Sequence, residues 1–381
     1  MNIPFPGTST VPASFGSLFA VGDIDGDSKQ DLAVQALSEN DNAGSVTVYY
    51  GDTIPFTRSQ RFVGSAWAFY GSAMALGDVN GDGHADLFAF NSDHVDAFLA
   101  PSAGGTLPST PTFQLVGDYN IYTLAVVADL NRDGLNDVVV GNPVANSLIY
   151  VVYGRTTWPA TIDLPTQADV IITAGNATSA LGGYFKGLAS IPDINGDGFN
   201  ELFVSDTGLN RAYIFMGSIL ASKARGATLA DASQVLTGAA GSRFGFCIGA
   251  LDSNFDSKAD IFVGAPGIST LLTFPQLGNQ TFGAQATFAT ASDSFGSAFA
   301  YGDLDRDGLA DLVVGLQSIV TGTVRAFYSA PSGISSTPGS VLSGLGSFGN
   351  DVAIGDFNGD GNPDLVVSER GVGNGSIYLS Y

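Results

Sequence analysis

One nine-residue pattern of oxygen-bearing side chains recurs seven times along the chain. It has an acid at position 1, Asp or Asn at position 3, Asp at position 5 and an acid at position 9. The copies are Asp23-Asp25-Asp27-Asp31, Asp78-Asn80-Asp82-Asp86, Asp129-Asn131-Asp133-Asp137, Asp193-Asn195-Asp197-Glu201, Asp252-Asn254-Asp256-Asp260, Asp303-Asp305-Asp307-Asp311 and Asp356-Asn358-Asp360-Asp364. Carboxylate and amide oxygens at positions 1, 3 and 5 converge on one point when the residues between them turn tightly. The position-7 carbonyl and the acid at position 9 then complete a hard shell of about six oxygens, a set that suits Ca²⁺. Position 7 is Lys29, His84, Leu135, Phe199, Lys258, Leu309 and Asn362 in turn. Mg²⁺ would keep more of its waters, and zinc would ask for Cys or His. The expectation is up to seven bound calcium ions, one per repeat.

An EF-hand shares the Asp-x-Asn-x-Asp-Gly start but needs Glu at position 12 and a helix beyond it. Here position 12 is Val34, Ala89, Val140, Val204, Val263, Val314 and Val367, in apolar, β-rich segments. The loops therefore join strands.

Those strands can be read around each loop. A short apolar segment precedes it, such as Leu18-Phe-Ala-Val-Gly22, and a second follows directly, such as Asp137-Val-Val-Val-Gly141. A third comes after a turn, such as Gly44-Ser-Val-Thr-Val-Tyr-Tyr50. A fourth closes the unit, often ending in Gly: Arg61-Phe-Val-Gly64, Gln114-Leu-Val-Gly117, Val235-Leu-Thr-Gly238, Val341-Leu-Ser-Gly344. Four short strands per unit, with loop starts 55, 51, 64, 59, 51 and 53 residues apart, describe propeller blades. The expected fold is all-β: a seven-bladed β-propeller of four-stranded antiparallel blades, one domain over residues 1–381. The last unit ends before a fourth strand. Residues 1–8 are expected to supply it, with residues 3–7, Ile3-Pro-Phe-Pro-Gly7, paired with Ile377–Ser380. Pro4 and Pro6 cannot donate to a ladder, which suits an edge strand.

The loops also account for the charge. The net charge is -22, and twenty-three of the 36 acidic residues lie in the seven loops. The remaining acids nearly balance the 14 Lys and Arg, so no basic stripe is available for nucleic acid. No apolar run approaches the ~18 residues that span a bilayer, so no membrane insertion is expected. The N-terminus lacks a basic segment followed by an apolar one. The chain is expected either to follow a removed signal peptide or to be part of a larger surface protein. The single cysteine, Cys247, sits in an apolar strand and is expected to be buried.

With these repeats in view, the chain resembles FG-GAP repeats, the unit of the integrin α-subunit propeller. The Phe-Gly element stands as Phe15-Gly16, Phe244-Gly245, Phe295-Gly296 and Phe348-Gly349, and in altered form as Phe69-Tyr70-Gly71 and Tyr184-Phe185-Lys186-Gly187. Gly264-Ala265-Pro266 gives the second element, with Gly141-Asn142-Pro143 close to it. The resemblance implies a seven-bladed propeller with calcium between the first two strands of a blade.

The function expected is an extracellular, calcium-stabilised binding or adhesion module, monomeric or part of a larger protein. It would present a rim surface to a protein or a cell-surface glycan. The alternatives are a lectin propeller and an accessory propeller of a larger secreted enzyme. No catalysis is expected of this chain: His84 and His94 stand apart, and no Gly-x-Ser-x-Gly motif occurs. Ligand residues are expected at the blade ends opposite the metal loops, with Trp67, Tyr119, Tyr122 and Tyr184 as aromatic anchors. Trp158, on the metal-loop side, is expected to be structural. Three Asn-x-Ser/Thr sequons stand at Asn176, Asn279 and Asn374.

Overall fold

A computed structural model describes residues 1–7, 14–117, 121, 123–144, 147–175, 178–183, 186–278, 280–291, 294–316, 321–370 and 376–380. The fold is a seven-bladed β-propeller of antiparallel four-stranded sheets. The first blade runs Phe15–Gly22, Asp31–Ala36, Ser45–Tyr50, Arg58–Val63. Later blades start at Met74, Thr123, Leu188, Ile248, Phe295 and Ser347.

Second strands such as Asp31–Ala36, Asp137–Asn142, Glu201–Asp206 and Asp311–Leu316 are buried along their whole length. Both faces of such a strand are covered, so the sequence reads as an apolar run with no polar alternation. The Phe-Gly pairs have a clear cause. Phe15, Phe244 and Phe295 are fully buried, and the next glycine has φ near +80° in each case. At Gly296 a Cβ would lie 2.7 Å from the Thr270 carbonyl oxygen, so only glycine fits.

The chain divides into two compact units. Met1–Leu76, Gly83–Thr112 and Ser297–Tyr381 form the first. Its core has one cluster around Phe5, Phe15, Leu32, Val366 and Ile377, one around Val46, Tyr50, Leu87 and Phe98, and one around Val313, Phe348 and Val367. Gly77–Asp82 and Phe113–Gly296 form the second. There Val139, Ile149, Leu202 and Phe215 make one cluster, and Phe203, Ile214, Phe244, Ile261 and Phe274 another. Cys247 is 1% exposed and its thiol donates to the Gly296 carbonyl at 3.2 Å.

The seventh blade is completed as expected. Asn2–Pro4 pairs antiparallel with the last strand, with Asn2 opposite Tyr378, Ile3 opposite Ile377 and Pro4 opposite Ser376. The pairing is shorter than the expected residues 3–7: it starts at Asn2, stops at Pro4 and reaches Ser376 on the last strand. Phe5 lies beyond it, its ring 5.7 Å from that of Phe15.

Two blades carry a fifth strand that the sequence reading did not anticipate. Thr161–Asp163 pairs in parallel with Phe113–Val116, the fourth strand of blade two. Arg225–Thr228 pairs in parallel with Val170–Thr173, the fourth strand of blade three. Each strap comes from the long connection between the third and fourth strands of the following unit.

Candidate functional site: the acidic loops and the opposite blade ends

Each acidic loop joins the first strand of a blade to the second, and its position-9 acid is the first residue of that second strand. The position-1 carboxylate is turned back into the loop. Asp129 accepts from the N–H groups of Asn131, Arg132, Asp133 and Gly134, and Asp193 from the matching four. Asp252, Asp303 and Asp356 repeat the motif in part. Position 3 accepts the N–H of position 5, and position 5 that of position 7, as in Asn131, Asp133 and Leu135. These side chain-to-backbone turns curl the loop and gather its oxygens. Carboxylate oxygens of Asp23, Asp25 and Asp27 lie within 4.8 Å of one another, as do those of Asp303, Asp305 and Asp311.

The position-9 acid has a structural role that the sequence reading did not assign. One of its oxygens accepts the N–H of position 2; the other accepts the N–H just beyond the third strand. Asp31 takes Ile24 and Gly51, Asp137 takes Leu130 and Gly154, Glu201 takes Ile194 and Gly217, and Asp311 takes Leu304 and Ser329. The acid thus brackets the loop to the end of the third strand, which lies beside it at the same end of the blade. Burial pushes Asp31, Asp137 and Glu201 up to about 7 and Asp364 up to about 6, against the pull of these N–H donors. Replacing Asp137 by Ala strands two buried N–H groups at about 1–3 kcal/mol each, so a loss of roughly 2–5 kcal/mol is expected with or without chelator. Asp133→Ala removes an exposed turn acceptor and is expected to matter only with calcium present. Paired urea melts in calcium and in chelator check this; an Asp137→Ala chain as stable in chelator as Asp133→Ala would refute the bracket.

Three pairs of consecutive loops are clasped together by a backbone hydrogen bond. The N–H of position 8 donates to the position-1 carbonyl of the preceding loop: Gln30 to Asp356 at 2.9 Å, Ala85 to Asp23 at 2.7 Å, Asn200 to Asp129 at 3.1 Å. In several loops the position-7 side chain covers the preceding loop's position 4, though Gly196 of the fourth loop is left uncovered. A Cβ on Gly26 would meet His84, one on Gly81 would meet Leu135, and one on Gly359 would meet Lys29. Where position 4 is Arg132, its guanidinium lies 5.9 Å from the Phe199 ring. In these loops position 7 therefore has a side-chain role that the sequence reading did not assign.

The loops fit a hard divalent cation in two further respects. Asp25 Oδ1 is a buried acceptor with no hydrogen-bond donor. The donor set is oxygen throughout.

At the opposite blade ends, Trp67 and Phe69 are 65% and 40% exposed. They rise from the connection between blades one and two. Their N–H groups donate to the carbonyls of Asp41 and Asn42 at 3.2 and 2.9 Å, and Tyr70 N–H to that of Ala43. Beneath this, buried Glu39 pairs with Arg61 and accepts from Ser45 Oγ at 2.6 Å. Asn40, Asp41, Asn42, Trp67 and Phe69 all have left-handed φ, between +46° and +67°. Phe69, the altered Phe-Gly position, is thus a surface residue here. Tyr119, Tyr122 and Tyr184 lie outside the described residues, as do the sequon residues Asn176, Asn279 and Asn374. Trp158 stacks on Phe113 at 4.4 Å and 8°, with the Arg155 guanidinium 5.1 Å from its ring. His94 opens the strand His94–Phe98, where Asp96 and then Asp93 raise its pKa to about 8 against the cost of burial.

Antiparallel four-stranded blades, each with an acidic loop between its first two strands, define a repeat β-propeller of the integrin α type. The chain belongs to the FG-GAP repeat proteins. The FG-GAP-like repeat matches residues 23–89, 78–140 and 252–314, and the FG-GAP repeat matches residues 348–380. Integrin alpha-V of Gallus gallus is 26% identical over 220 residues, 52% of this chain and 21% of that protein. Integrin alpha pat-2 of Caenorhabditis briggsae is 28% identical over 218 residues, 50% of this chain and 17% of that protein. Phosphatidylinositol-glycan-specific phospholipase D of Rattus norvegicus is 31% identical over 155 residues, 33% of this chain and 18% of the enzyme. The chain spans about a fifth of the length of these relatives. The crystal structure of BBS1N in complex with ARL6DN, soaked with mercury, shares the fold at TM-score 0.59 and 11% identity, over 100% of this chain and 94% of that one.

Proposed function

We propose that this chain is an extracellular binding module, stabilised by calcium in its acidic loops and recognising a protein or cell-surface glycan at the opposite blade ends. An integrin α-like FG-GAP propeller fits a binding or adhesion module. The calcium ligands are the side chains at positions 1, 3, 5 and 9 with the position-7 carbonyl. The ion neutralises carboxylates that otherwise repel one another and lie partly buried. Among the described residues no helix is long and apolar enough to cross a membrane.

The observation that carries the recognition surface is the Trp67–Phe69 platform. Two large aromatics are held out to solvent on a backbone with five left-handed non-glycine residues in two touching loops. Strain of this kind costs about 1–3 kcal/mol per residue and gathers where a ligand is bound. Exposed Trp is also a favoured anchor. Labelled chain applied to a glycan array and to intact cells in about 1 mM calcium, a level suited to extracellular sites, identifies the partner. Trp67→Ala is then expected to weaken binding by about 2 kcal/mol, roughly 30-fold, with the thermal midpoint unchanged. Asp303→Ala is expected to lower stability in calcium and to affect binding only through that loss. If folded Asp303→Ala fails to bind while Trp67→Ala binds normally, the ligand sits on the metal loops and the assignment falls.

A second reading, an accessory propeller of a secreted enzyme, is favoured by the similarity to the rat phospholipase D. In that reading too, this chain binds and catalysis lies elsewhere. Hydrolysis of phosphatidylinositol-glycan by the chain alone would overturn it.

A further inference from the structure

We infer that the edge of blade six is a docking site for an extended peptide segment, which adds a parallel strand and places one large apolar side chain in a pocket beside it. The edge strand, Ser340–Leu345, pairs on one side with Thr321–Phe327. Among the described residues no strand pairs with its other side. It carries no charge, and its outward residues Val341 and Leu345 are 54% and 61% exposed. Proteins usually protect such an edge with charge, proline or a covering segment. Arg58 and Arg61 do so on the fourth strand of blade one.

The fold itself shows what fits an edge of this kind. On blades two and three the equivalent strand is covered by a short parallel segment of the same chain. Ile162 of Thr161-Ile162-Asp163 lies opposite Leu115, and Ala227 of Gly226-Ala227-Thr228 lies opposite Ile172. Both incoming apolar residues are only 2% exposed, and their neighbours are polar or glycine. Leu342 in Leu342-Ser343-Gly344 occupies the repeat position of Leu115 in Leu115-Val116-Gly117. The register of a segment on blade six follows: its apolar residue lies opposite Leu342, with polar residues on either side.

Opposite Leu342 there is room for it. A cavity of about 290 Å³ is lined by Leu304, Val324, Ala326, Leu342, Pro363 and Leu365, and Tyr328 Oη meets Ser340 Oγ at 3.1 Å on its wall. Pro363 sets this junction apart in sequence. It stands at position 8 of the seventh loop, where Gln30, Ala85 and Asn200 each tie their loop to the preceding one through a backbone N–H. Proline has no N–H, so this clasp cannot form between blades six and seven. Strand addition draws affinity from main-chain hydrogen bonds and selectivity from side-chain pockets, and this edge offers both. The site is separate from the Trp67–Phe69 platform and does not depend on it.

The probe is a set of eight-residue peptides with a central Thr-X-Asp, where X is Ala, Val, Ile, Leu, Phe or Trp. Binding to the full chain in calcium is read by fluorescence anisotropy, and the contact by amide hydrogen exchange. Affinity is expected to rise with the size of X, with exchange slowed at residues 340–345. The surface variant Val341→Lys with Leu345→Lys is expected to weaken binding at least ~10-fold at an unchanged thermal midpoint, since edge lysines block strand addition. Ala326→Leu, which fills the pocket, is expected to flatten the dependence on X. Absence of binding by the whole set, binding indifferent to the lysines, or protection elsewhere on the chain would each overturn the proposal. So would a wild-type dimer dissolved by the lysine variant in sedimentation, which would assign the edge to a second copy of the chain.

Discussion

Adding a calcium chelator at neutral pH is expected to lower the thermal midpoint of this chain by roughly 4–12 °C. Extracellular calcium sites have dissociation constants of about 10⁻⁴–10⁻³ M. At about 1 mM calcium, linkage gives roughly 0.4–1.4 kcal/mol per site, or ~3–10 kcal/mol for seven. A chain of 381 residues loses about 0.8 kcal/mol of stability per degree near its midpoint, at ~2.1 cal/mol/K per residue. The loops are arranged to respond in this way. Asp25 Oδ1 is a buried acceptor without a donor, and the buried position-9 acids are costly as anions. Scanning calorimetry with calcium, with chelator, and with chelator followed by excess calcium makes the measurement. A midpoint that ignores the cation would remove calcium from the account of this fold.

Deleting residues 1–5 is expected to cost about 3–5 kcal/mol, more than a surface loop of the same length. The segment brings three backbone pairings to the last strand, Asn2 to Tyr378, Ile3 to Ile377 and Pro4 to Ser376. It also brings Phe5, which packs in one cluster with Phe15, Leu32, Val366 and Ile377. Its loss leaves the last strand as an open edge and a cavity beside blade one. Phe5→Ala alone tests the packing share and is expected to account for most of the loss. Urea denaturation of the truncated chain, the Phe5 variant and the parent decides the matter. If the truncated chain matches the parent, the segment contributes nothing to closure.

The blades and loops were legible in the sequence because each depends on local chemistry. Asp and Asn at alternate positions form the turns seen at Asp129–Leu135, and residue 12, such as Val140, falls in a strand wherever no helix can start. The terminal strand was legible from a missing piece: the last unit lacks a fourth strand, and Ile3-Pro4 supplies it. The straps were not read, although their trace was there. The two longest units, 64 and 59 residues, are the ones whose connections carry Thr161–Asp163 and Arg225–Thr228. Segments this short have no periodicity of their own; the edge they cover orders them. The bracket at position 9 was hidden for a similar reason. Its partners, such as Gly154 beyond Asp137, are backbone groups many residues away, which side-chain spacing does not report. Trp67 was singled out by type, but its exposure depends on the buried Glu39–Arg61 pair beneath the neighbouring loop.

The terminal pairing also sets how the molecule responds to force. Met1 and Leu379 exchange backbone hydrogen bonds, so both pulling points lie at the same end of the antiparallel pair. Hydrogen bonds in such a pair run perpendicular to the strands. Tension drawing the two termini apart therefore loads one bond at a time, from Met1 inward past Ile3, and unzips the seam. A pull along the parallel strap Arg225–Thr228 would instead load its bonds together, in shear. The seam that closes the fold is thus the one that yields first to tension applied through its ends.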